Sequence, residues 1–199
     1  MLKRSTLQER FSDIYEKNIW GSGESGSGEG SELEYAESLR TWLVESLPKY
    51  KVRKFVDAPC GDFNWMRSVI GQVDIEYVGY DIVPSVISRN RELYGEENVN
   101  FEVANICNDE LPICDLLMVR DCLFHLSYEY INKFLVNISN LDYKYLLTTT
   151  HILGKDCSNR DIVTGDFRLI NLFLGPFNFT SRKVIEVVDD SLKISKIPR

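Results

Sequence analysis

Apolar and polar positions change their period several times along the chain. Residues 5–18 place Leu7, Phe11, Ile14 and Tyr15 three to four apart, which predicts a short amphipathic helix. A second helix is predicted over 34–47, with Leu39, Trp42, Leu43 and Leu47 on one face and Pro48 as its stop. From residue 54 onward, short apolar runs alternate with helical periods. Strands are predicted at 54–57, 76–81, 99–103, 116–120 and 145–149, and helices at 64–70, 84–94 and 128–138. This β/α alternation implies an α/β fold whose parallel sheet carries helices on both faces. Two β-rich runs, 184–188 and 192–197, flank Asp189-Asp190-Ser191 and read as an antiparallel hairpin closing one sheet edge. No internal repeat interrupts this order, so residues 1–199 read as a single domain.

Composition narrows the class. A chain of 199 residues with 44% hydrophobic and 27% charged residues can bury an ordinary globular core. The net charge of −7 argues against nucleic-acid binding, which needs a basic surface. The longest apolar runs are far too short to span a bilayer, and no membrane patch is expected. Polar residues follow Met1-Leu2-Lys3-Arg4, so no signal peptide is expected. The odd count of five cysteines then points to reduced thiols and a cytoplasmic location. With two histidines and no Cys-x-x-Cys pair, no metal site is expected.

The strongest chemical signal is Phe55-Val56-Asp57-Ala58-Pro59-Cys60-Gly61-Asp62, followed by Tyr77-Val78-Gly79-Tyr80-Asp81-Ile82. A strand, a glycine turn, a helix and a second strand ending in an acid make a nucleoside-binding half-domain, whose second acid can bind ribose hydroxyls. A dinucleotide fold would place Gly-x-Gly-x-x-Gly in the turn. Here Gly61 stands alone, and Asp62 adds a carboxylate where a pyrophosphate would sit. That favours a ligand carrying an ammonium or sulfonium charge over NAD.

These motifs resemble those of class I S-adenosylmethionine-dependent methyltransferases. The segment 56–62 matches that family's first motif, Asp81 its ribose-binding acid, Asn105-Ile106 its adenine-side pair with an amide in place of the acid, and Arg120-Asp121-Cys122 the end of strand four. The resemblance implies a Rossmann-like, doubly wound, mostly parallel seven-stranded sheet with a C-terminal antiparallel hairpin. It implies S-adenosylmethionine as cofactor and S-adenosylhomocysteine as product, held by Asp57, Ala58, Pro59, Gly61, Asp81, Ile82, Asn105, Ile106 and Arg120. Trp20-Gly21, Cys60-Gly61-Asp62-Phe63-Asn64-Trp65, the 120–126 segment and Thr148-Thr149-Thr150-His151 are similar to small bacterial methyltransferases encoded with surface-polysaccharide genes. That likeness implies O-methylation of a small polar acceptor, nucleotide-activated or phosphorylated, such as a capsular sugar or phosphoramidate precursor.

His125 and His151 follow strands four and five, so both are expected near the rim where ligands of open α/β sheets bind. A neutral hydroxyl acceptor must lose a proton, which suits a histidine; an anionic acceptor needs cations instead. His125 is the first candidate base and His151 the second. Each also has a structural reading, His125 as a partly buried residue bonded to a hydroxyl such as that of Ser127 and His151 as a loop residue near the rim with no task. The Gly/Ser-rich segment 21–31 holds five of the 12 glycines. It reads as a flexible linker or as a flap closing over the cofactor. The insertion 151–181 is expected to form an acceptor wall, with Arg168 as an anion anchor or in a salt bridge with Asp161. Two other functions stay open: an NAD-dependent oxidoreductase, and a methyltransferase-like module without chemistry.

Overall fold

The computed structural model describes residues 6–152 and 158–180. Among these, five strands form one sheet: β1 (Lys54–Asp57), β2 (Glu76–Asp81), β3 (Val99–Val103), β4 (Cys114–Val119) and β5 (Tyr143–Thr148). Their order is β3-β2-β1-β4-β5 and every neighbouring pair is parallel. The chain winds outward from β1 to β3 and then returns to the other side of β1. The order therefore reverses between β1 and β4, where the loops beyond the two strands diverge and open a crevice. The expected hairpin at 184–188 and 192–197, and with it the count of seven strands, lies outside the described residues.

Five helices accompany the sheet: α1 (Leu7–Glu16), α2 (Glu37–Lys49), α3 (Met66–Ile70), α4 (Pro84–Tyr94) and α5 (Tyr128–Ser139). Alternation along the strands divides the core between two faces. Phe55, Tyr77, Leu116 and Met118 pack with Leu39, Leu43 and Leu47 of α2, Met66 and Val69 of α3 and Ile87 of α4. Val56, Tyr80, Leu117 and Val119 pack on the other side with Ile131, Phe134 and Ile138 of α5 and Leu7 of α1. Helix α1 starts at a capping box, in which the Glu9 N–H donates to Thr6 Oγ1 and the Thr6 N–H to Glu9 Oε2. No helix among the described residues is long and apolar enough to cross a membrane.

Several boundaries differ from the predicted ones. Pro48 does not stop α2 but sits in its last turn. A proline there forfeits only one intrahelical bond, and the Tyr50 N–H still reaches Ser46 O at 2.9 Å. Helix α3 begins two residues late because residues 61–64 form a turn, with Gly61 and Phe63 at φ +54° and +59°. Strands β4 and β5 begin earlier than their apolar runs because Cys114 pairs with Tyr143 in the ladder.

Candidate active site

A cavity open to solvent lies beyond the carboxyl ends of β1, β2 and β4. The sheet supplies Asp57 and Asp81 to its walls, and the loops supply Pro59, Gly61, Ile82, Asn105, Ile106, Arg120 and His125. Of the residues expected around a cofactor, only Ala58 does not line it. Ala58 is fully buried, and its N–H donates to Met118 O at 2.9 Å.

The turn after β1 is bound inward. The N–H groups of Cys60, Gly61, Asp62 and Asn64 donate respectively to Tyr80 O (2.7 Å), Asp81 Oδ2 (3.1 Å), Ser27 Oγ (3.0 Å) and Asp62 Oδ1 (3.4 Å). None is left to cradle a pyrophosphate, which removes the usual basis for NAD binding at such a turn. Asp62 does not stand where a pyrophosphate would sit. Its Oδ2 does not confront a ligand but accepts from Ser25 Oγ (2.8 Å) and the Gly26 N–H (3.0 Å). Gly61 is required here twice over: its φ is +54°, and a Cβ would lie 2.5 Å from Ser27 Oγ.

Asp57 is 2% exposed. Its Oδ2 accepts from the Tyr77 hydroxyl at 2.8 Å, while Oδ1 is buried without a hydrogen-bond partner. Burial pushes its carboxyl up to about 8, with the Tyr77 bond and Arg120 opposing. Asp81 accepts from the N–H groups of Gly61 and Val83, and burial pushes it up to about 6 against those bonds. Arg120 is buried with its guanidinium 5.1 Å from the Trp65 ring centroid; it bonds Asp121 (3.0 Å) and Gly30 O (2.8 Å). Asn105 closes a turn, its Oδ1 accepting from the Cys107 N–H at 3.0 Å.

The three residues proposed for chemistry part company. His125 lines the cavity, its ring stacked on Trp20 at 4.3 Å and its Nδ1 2.8 Å from Asp166 O. Ser127 is not its partner, since the Ser127 N–H donates to Thr164 Oγ1 and no bond joins Ser127 to the ring. His151 is not among the lining residues; its Nδ1 lies 3.1 Å from the Ile170 nitrogen and 3.2 Å from the Ile170 oxygen. Burial lowers the pKa of both rings. Arg168 is 1% exposed and does not line the cavity. It forms no ion pair with Asp161 among the described residues. Its Nη1 donates to the carbonyls of Phe124 (3.3 Å) and Leu126 (2.7 Å), and its guanidinium lies 5.4 Å from the Tyr128 ring centroid.

Pattern reading missed the part of the roof made by α1 and Trp20. Leu7, Phe11 and Tyr15 of α1, with Trp20, Ser27 and Ser31 after it, also line the cavity. The stripe on α1 reads equally well as core, and only tertiary packing turns part of it over the crevice. Segment 21–31 is not a free linker. Ser25 is 2% exposed, and Asn64 Nδ2 donates to Glu24 Oε1 and Ser31 O. The cysteines Cys60, Cys107 and Cys122 line the cavity as free thiols that burial pushes up, away from thiolate character.

No protein-family model matches the chain, and no curated protein sequence matches it. Solved structures do share the fold. Phosphoethanolamine N-methyltransferase 1 of Haemonchus contortus, in complex with phosphoethanolamine and S-adenosylhomocysteine, is similar at TM-score 0.58 and 17% identity, over 84% of this chain and 40% of that one. Human N-acetylserotonin methyltransferase in complex with S-adenosylmethionine is similar at TM-score 0.55 and 16% identity, over 84% and 51%. The N-methyltransferase NodS of Bradyrhizobium japonicum WM9, with S-adenosylhomocysteine, is similar at 0.53 and 13%, over 67% and 68%. The chain thus spans about half the length of the first two. The architecture is the Rossmann-like α/β fold of these methyltransferases.

Proposed function

We propose that the chain is a methyltransferase that binds S-adenosylmethionine in this cavity and methylates an oxygen of a small polar acceptor. One observation carries the reading: the buried, unpartnered Oδ1 of Asp57 in the same cavity as Asp81. An orphaned carboxylate oxygen is costly unless a ligand satisfies it, and a cationic one does so best. Asp57 would take the ammonium end of the methionine part, Arg120 its carboxylate and Asp81 the ribose hydroxyls, with Asn105 and Ile106 beside the adenine. The cofactor supplies an activated methyl on a sulfonium, so the protein has to position the acceptor and exclude water.

Among the described lining residues the charged side chains are Asp57, Asp81, Asp121 and Arg120. Acids outnumber cations, and Arg120 is given to the cofactor's carboxylate, so an anionic phosphate or phosphoramidate oxygen is poorly matched. A neutral hydroxyl fits better, such as that of a sugar in a surface-polysaccharide precursor, with His125 as the base that receives its proton. Titration calorimetry with S-adenosylhomocysteine and with NADH tests the cofactor reading. Binding of the former, abolished or strongly weakened in Asp81→Ala, is expected. Binding of NADH alone would return the oxidoreductase reading. Cofactor binding without turnover on any sugar or nucleotide-sugar acceptor would favour a binding module.

A further inference from the structure

The insertion that was expected to wall the acceptor does something else. Between residues 161 and 168 it grips the turn that carries His125 at five backbone groups. The Gly165 N–H donates to His125 O at 2.7 Å, and the Arg168 N–H to Phe124 O at 3.3 Å. The Ser127 N–H donates to Thr164 Oγ1 at 2.9 Å, and the Tyr128 N–H to Asp161 Oδ1 at 2.7 Å. Arg168 adds its Nη1, shared between the carbonyls on either side of His125. The ring itself is held from two directions, by Asp166 O at Nδ1 and by the face of Trp20.

We infer that Trp20, Arg168 and the Asp166 carbonyl are positioning residues that fix His125 as the Nδ1–H tautomer, leaving Nε2 as a hydrogen-bond acceptor. The chemistry is one-sided. A carbonyl oxygen can only accept, so at 2.8 Å the proton must sit on Nδ1. No Nε2 partner is present among the described residues, and His125 lines the cavity. His151 is different. Its Nδ1 lies 3.1 Å from the Ile170 nitrogen and 3.2 Å from the Ile170 oxygen, so its partners fix neither tautomer. Of the two histidines, only His125 both lines the cavity and has a partner that assigns its proton.

Arg168 fits this role better than a purely stabilising one. It is buried, yet its Nε and Nη2 have no hydrogen-bond partner. A guanidinium placed for stability would satisfy those donors. What it does accomplish is to join the two carbonyls that bracket His125. The surroundings of the ring favour the neutral form on balance, because burial outweighs everything else. Burial lowers its pKa and Arg168 adds to that, while the Asp166 carbonyl and Asp121 act in the raising sense. Trp20 contributes by covering one face of the ring from the N-terminal segment. Base competence would then depend on that segment being seated.

This inference rests on the reading of His125 as the base, but its test needs no acceptor. Long-range proton–nitrogen NMR of the histidine-labelled protein above pH 7 resolves both rings, and His125→Gln assigns them. His125 is expected as Nδ1–H. Asp166→Ala should leave this pattern intact, because the bond is made by the backbone. Trp20→Ala should raise the His125 pKa toward 6.5, and Arg168→Lys should give a tautomer mixture at His125 while His151 is unchanged. His125 as Nε2–H, or no response in either variant, would overturn the inference. If Arg168→Lys does not fold, Trp20→Ala decides alone. Failure of S-adenosylhomocysteine to bind the same sample would instead remove the function proposed above and leave the tautomers standing.

Discussion

At Asp57, burial raises the carboxyl to about 8, so in the ligand-free protein it carries a proton through neutral pH. A bound ammonium would ionise it. Binding would therefore release a proton, and affinity for S-adenosylhomocysteine should tighten from pH 6 toward 8. The trend should end where the ligand's own α-amino group begins to titrate. Calorimetry in buffers of different ionisation heat reads the released proton directly. Asp57→Asn should lose both the release and roughly tenfold or more of the affinity, as expected for a charge-assisted bond of about 1.5–3 kcal/mol. Gly61 makes a second residue-scale prediction. Gly61→Ala must hold φ near +54° and displace Ser27 Oγ, which lies 2.5 Å from the new Cβ. A loss of about 1–3 kcal/mol is expected in urea unfolding. The sequence marked Gly61 and Asp57 as special because their spacing is local. It could not show that Asp62 faces Ser25 and Gly26, because that partnership joins segments 36 residues apart.

Most elements could be read from the chain because each is decided by its own period. Strand β2 and helix α4 match their predicted limits, and β1 and β3 do as well. Misreadings gather where a distant partner decides: at β4 and β5, extended by their mutual ladder, and at α2, whose last turn tolerates Pro48. The segment 21–31 is the sharpest case. Its composition is that of a linker, yet Ser25, Gly26 and Ser27 are hydrogen-bonded to Asp62. Asp62→Ala removes two of these bonds. Limited proteolysis should then cut within 21–31 several-fold faster than in the wild type, and S-adenosylhomocysteine should protect the wild type. Equal cutting with and without ligand would argue that the segment is not a flap.

At the scale of the whole molecule, ionisation links the site to stability. Asp57 and Asp81 bind protons more tightly folded than unfolded, so their contribution is present in acid and is lost as pH rises through about 6 and then about 8. His125 and His151 act oppositely, since their lowered pKa removes stability as pH falls below the ordinary value of 6.5. The ligand-free melting temperature should therefore decline between pH 6.5 and 8.5, and Asp57→Asn should flatten the decline. A melting temperature that rises over that interval would contradict the protonation assigned to Asp57. By itself the sequence determined the α/β alternation, the glycine turn and the two strand-end acids, all properties of neighbouring residues. Tertiary structure alone decided that part of the α1 stripe roofs the cavity, that Arg168 lies behind the site, and that the His125 ring meets the Asp166 carbonyl. Those outcomes depend on which backbone group meets which side chain across the fold, and no local period carries that information.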